Sequence, residues 1–141
     1  MLSKVGLFLV LLVISMPVYE ALAQIGTQRA EIKNPRLVNT FGEPISQNIN
    51  VNQQIQVSAD VTNKQASTQN FVYIVQILDS NQVTRKLSWF SASLNPQQTL
   101  SPAISWSTDT PGTYTAEIYV WDSIKDASAL SPTTQIKITV S

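Results

Sequence analysis

Near the end of the chain, Tyr114, Ala116, Ile118 and Val120 alternate with Thr115, Glu117, Tyr119 and Trp121. A repeat of two residues is the signature of a strand that turns one face to a core and the other away from it. The same period sets Ile55, Val57, Ala59 and Val61 against Gln54, Gln56, Ser58 and Asp60, and Ile136, Ile138 and Val140 against Lys137 and Thr139. Beyond Gln24 no stretch carries a persuasive helical period; residues 123–130 suit at most a short turn. A chain patterned in this way is confined to all-β folds.

The intervening segments complete the set. Ala30 to Leu37 reads as an irregular first strand, broken by Pro35 and so placed at a sheet edge. Phe71 to Leu78 is apolar on both faces, as in a central strand covered on both sides. Val83 to Phe90 follows across the turn at residues 79–82, with Val83, Arg85, Leu87 and Trp89 on one face. Leu100, Ile104 and Trp106 mark a further strand after the turn at Asn95-Pro96. The result is seven strands in about 110 residues with turn signals every 8–12 residues, the pattern of an antiparallel immunoglobulin-type sandwich. Tyr114, just after the Pro111-Gly112 turn, stands where such a sandwich places a tyrosine corner, whose hydroxyl bonds back to the backbone.

Ahead of this module lies a segment of a different kind. Lys4 precedes an apolar run from Val5 to Ile14, then Pro17, then Ala21 and Ala23 at positions −3 and −1 of a cut after Ala23. That order is the one found in export signals. The apolar stretch over residues 5–18 would make roughly 21 Å of helix, short of the bilayer's roughly 30 Å apolar core. The division expected is a signal peptide over residues 1–23, a hydrophobic helix, then a polar lead over 24–29 and the sandwich over 30–141. The product is then secreted or held at the cell surface, and residues 5–18 retained as a membrane anchor are the alternative.

Composition removes most chemistry. The chain has no Cys and no His, so thiol catalysis, Ser–His catalysis, disulfides and the usual zinc sites are gone. Nine basic residues balance nine acidic ones, which gives no electrostatic footprint for nucleic acid. Asp122 and Asp126, beside Glu117, lack the close spacing of a calcium loop. No cofactor and no enzymatic activity are expected.

Phe71–Asp79, Leu87-Ser88-Trp89, Asn95-Pro96-Gln97-Gln98, Ser105-Trp106, Pro111-Gly112-Thr113-Tyr114 and Val120-Trp121-Asp122 occur in a telling order. Together they resemble Ig-like sandwich modules of the CARDB or bacterial-Ig kind, and are particularly similar to short secreted or surface-exposed modules of ammonia-oxidising archaea. The similarity covers about residues 30–141. It implies an appendage of adhesins or envelope proteins; one module standing alone does not inherit a repeat unit's spacer role. The candidate binding face is the sheet surface carrying Tyr119, Trp121, Trp89 and, from the doubly apolar strand, Tyr73. Aromatics of this kind are enriched where proteins bind partners. A structural or adhesive contact with a protein, another copy included, is therefore expected, with a carbohydrate or small-ligand module on the same aromatics as the alternative.

Overall fold

The computed structural model describes residues 26–141, and the expected signal with Ala21 and Ala23 lies outside them. A single turn of 3-10 helix, Gly26–Gln28, leads into ten strand segments. They are β1 (Ala30–Val38), β2 (Pro44–Ile45), β3 (Asn48–Ile49), β4 (Ile55–Asn63), β5 (Gln69–Leu78), β6 (Thr84–Leu94), β7 (Thr99–Leu100), β8 (Ala103–Trp106), β9 (Gly112–Trp121) and β10 (Thr134–Val140). Two sheets form: β2-β1-β4 with β7 and β8 both on the free side of β4, and β3-β10-β9-β5-β6.

The sheets close on each other because the alternation in each strand points one row inward. Ile55, Val57, Ala59 and Val61 of β4 face Phe71, Tyr73, Val75 and Ile77 of β5, together with Tyr114, Ala116, Ile118 and Val120 of β9. Ile136, Ile138 and Val140 of β10 extend the same core. Burial of a Val, Leu, Ile or Phe side chain contributes about 1.5–3 kcal/mol. A chain with no disulfide is held by that sum.

The two ends of the core are sealed by polar groups. Asn63 is buried, and its amide nitrogen donates to the carbonyls of Ser67 (2.8 Å) and Leu94 (3.1 Å), while its side-chain oxygen accepts from Gln65 N (3.0 Å). Tyr114 Oη donates to the Thr110 carbonyl at 2.8 Å, the bond of a tyrosine corner, and its ring meets Trp106 edge-on at 5.0 Å.

Several segments depart from the sequence-based expectation. β1 runs through Pro35 rather than stopping there. Asn34 takes a left-handed φ of 51°, which Asn tolerates, and a bulge between Lys33 and Arg36 absorbs the residue that cannot donate. The strand expected around Leu100 to Trp106 is split into β7 and β8, with Ser101 and Pro102 between them. β6 continues four residues past Phe90, and the two-residue strands β2 and β3 carry no period long enough to read. One pairing is not antiparallel: β3 lies parallel to β10.

Candidate functional site

The outward row of β9 is set by the same alternation that fills the core. Pairing registers place Ile74 of β5 between Trp89 of β6 and Tyr119 of β9, in a row across three strands. The next row is Ser91, Val72 and Trp121; the row on the other side is Leu87, Gln76 and Glu117. Neighbours directly across strands lie about 5 Å apart, so these side chains form one surface.

Val72 and Ile74 are buried even though they belong to this outer face and not to the core cluster. Larger neighbours flank them in register. The Tyr119 and Trp121 rings meet edge-to-face, with centroids 5.9 Å apart and planes at 65°. Leu87 and Trp89 remain about half exposed, at 54% and 53%. Beside the Trp121 end, Val72, Ser91, Asp122 and Ile124 border a groove of about 450 Å3.

Tyr119 Oη donates to Glu117 Oε2. Partial burial first, and then this carboxylate, push the Tyr119 phenol up to about 12. The face is thus apolar through its middle, with a neutral phenol tied to a carboxylate at one side.

Tyr73 is not part of it. The side chain is fully buried on the opposite side of β5, and its hydroxyl donates to the Val57 carbonyl at 3.1 Å. The reason is parity: with Tyr119 outward and paired to Ile74, residues 72, 74 and 76 turn out and 71, 73, 75 and 77 turn in. β5 is apolar on both sides but for Gln76, so a single polar residue is all its sequence offers to tell the rows apart. Trp89, Tyr119 and Trp121 do come together on one surface. Ile74, Val72 and Ile124 were the residues that reading by aromatic type passed over.

The carboxylates serve the loops. Asp122 Oδ1 accepts from the backbone of Ser123 (2.6 Å) and Ser128 (3.0 Å), organising the segment between β9 and β10. Among the described residues, no group of three or more acidic, Cys or His side chains could hold a metal ion.

No protein-family model matches the chain, and no curated protein matches it. Solved structures do. The C-terminal domain of Wzt is similar over 82% of this chain and 75% of its own, with 14% identity and a TM-score of 0.65. The CARDB domain of the PF1109 protein from Pyrococcus furiosus, solved in complex with di-metal ions, is similar over 80% of this chain and 94% of its own, with 15% identity and a TM-score of 0.55. The chain has an Ig-like β-sandwich fold. A β-glucosidase from Erythrobacter marinus shares it as well, at 12% identity and a TM-score of 0.57. The match takes in 79% of this chain but only 15% of the glucosidase. These likenesses are likenesses of fold.

Proposed function

We propose that the chain is an exported, non-enzymatic Ig-like module that works at the cell envelope. It binds a protein partner through the outer face of the β3-β10-β9-β5-β6 sheet. One observation carries this reading: Trp89, Ile74 and Tyr119 stand in register across three strands, flanked by Trp121 and Leu87, with Trp89 and Leu87 half exposed. Exposed apolar patches of a few hundred Å2 mark contact surfaces, and Tyr and Trp dominate binding energetics there. Export is supported by Lys4, the apolar run over residues 5–14 and the small residues Ala21 and Ala23. The likeness to Wzt and CARDB domains supports a module of Ig-like fold.

Immobilised residues 24–141 are expected to retain an envelope protein or the same chain from solution, and Trp121→Ser to lose that retention. Trp89→Ser, at a half-exposed position, gives the same loss without a question of folding. Retention on a polysaccharide resin in place of protein capture would transfer the face to sugar binding. Capture that survives both substitutions would remove the face from the reading altogether. For export, intact-mass measurement on material recovered outside an expressing cell should show the loss of residues 1–23.

A further inference from the structure

The sheet β3-β10-β9-β5-β6 ends differently on its two sides. At one side β3 closes the end of β10, and Ser141 N donates to Ile49 O at 3.0 Å. At the other, β6 pairs with β5 and, among the described residues, has no strand beyond it along its eleven residues. The edges of the second sheet are interrupted. β1 carries the bulge at Asn34–Pro35 and is capped by β2, while β7 and β8 are separated by Ser101 and Pro102. β6 is interrupted once, by a register shift at Arg85 near its beginning, and runs clear beyond it. It contains no Pro and no Gly, its ladder to β5 is regular from Lys86 to Leu94, and its charges, Arg85 and Lys86, both sit at its beginning. From Leu87 to Leu94 it is uncharged, with Leu87, Trp89 and Phe90 about half exposed. A long uncharged edge is a template for adding a strand.

We propose that this edge pairs with the β6 edge of a second copy of the chain, antiparallel and about a two-fold axis near Trp89. The charge distribution of β6 selects that partner and that direction. Centred on Trp89, an antiparallel pairing sets Arg85 opposite Ser93, Lys86 opposite Ala92 and Leu87 opposite Ser91 of the second copy. No like charges meet, whereas parallel pairing would stack Lys86 on its own counterpart; Arg85 is already paired with Asp79 of its own chain at 2.7 Å. A two-fold axis perpendicular to the sheet keeps the outer faces on one side and makes the contact self-complementary. Trp89 then meets Trp89 of the second copy, and the row of Tyr119, Ile74 and Trp89 runs on across the junction. Phe90, on the inner side of β6 where the strand overhangs, comes opposite Ser88 of the second copy. This goes beyond the partner-binding face, since it uses the backbone edge of β6 rather than Tyr119 and Trp121.

The test is sedimentation velocity over a range of concentrations on residues 24–141, which hold the whole described core. Wild type is compared with Ser93→Arg and Ser93→Glu. Ser93 is exposed, so both variants should keep the wild-type thermal midpoint. The wild type is expected to form a dimer. Ser93→Arg, facing Arg85 of the second copy, should weaken it about threefold: the two-fold axis makes each contact twice, while the Arg85–Asp79 ion pair offsets part of the repulsion. Ser93→Glu should strengthen it by a similar factor, and 1 M salt should shrink both effects. A wild type that stays monomeric to millimolar concentration overturns the proposal, as does a dimer that the two charges shift in the same direction or leave alone. A dimer lost in Trp121→Ser but indifferent to position 93 assigns association to the face, so the two readings fail separately.

Discussion

Tyr119 couples the outer face to pH. Its phenol is half covered and bonded to a carboxylate, so the neutral form is favoured in the folded chain and its titration moves up to about 12. In the unfolded chain a tyrosine titrates near about 10. Since the folded value is the higher, the contribution is fully present below about 10 and is lost as pH rises through about 12. Tyr73, buried in the core, is shifted in the same direction by desolvation. Absorbance titration at 295 nm should therefore show a late step near 12 that Tyr119→Phe deletes, and the variant's stability should fall less steeply above pH 10. At this scale the sequence was readable where polarity alternates and unreadable where it does not. Thr115, Glu117 and Tyr119 identify the outer row of β9, but in Phe71–Leu78 Gln76 alone breaks two apolar rows. Only the pairing with β9 sends Ile74 outward and Tyr73 inward.

The segment between β9 and β10 shows what an element can hide. It reads as a polar loop, yet Leu130 within it is fully buried and belongs to the core cluster. Its N–H donates to the Val120 carbonyl at 2.8 Å, and its carbonyl accepts from Ala30 N at 2.8 Å. The loop thereby joins the last residues of β9 to the first of β1, one from each sheet. Truncating so enclosed a leucine leaves a cavity; Leu130→Ala should cost about 2–5 kcal/mol, measured by urea denaturation. A mobile loop would instead give a change within about 0.5 kcal/mol. Leu130 and Ile124, six residues apart among Ser, Ala and Asp, make no period, which is why local patterning could not mark the buried one. The long strands β4, β9 and β10 were legible for the opposite reason, since each repeats its alternation several times. β2, β3 and β7 are too short to repeat anything, and their existence depends on the strands they pair with.

Beside the β5–β6 hairpin, much of the pairing joins strands far apart in sequence: β1 with β4, β4 with β8, β5 with β9, β3 with β10. Loops must close before any of these ladders forms, so refolding should take milliseconds to seconds. Stopped-flow fluorescence would follow it through Trp106, which is buried against Tyr114. A refolding time of microseconds would contradict that topology. Chain length and the absence of Cys indicated a single core without covalent staples, and the two sheets supply one. What a sequence of this kind leaves open is which strand ends up at an edge: Pro35 marked β1, yet β2 pairs with its end, while β6, with neither Pro nor Gly, stands outermost among the described strands of its sheet.

The parallel contact between β3 and β10 also has a mechanical meaning. Tension applied between the two ends of the described chain would drag β3 toward the start and β10 toward the finish. The bonds from Thr139 N to Gln47 O, Ser141 N to Ile49 O and Val51 N to Ser141 O lie across that direction. They would be strained together in shear rather than opened one after another like a zip. A short clamp of this geometry resists pulling better than its few bonds would suggest, and Pro in place of Val51, which removes one of these donors, should lower the unfolding force read in a single-molecule pulling measurement.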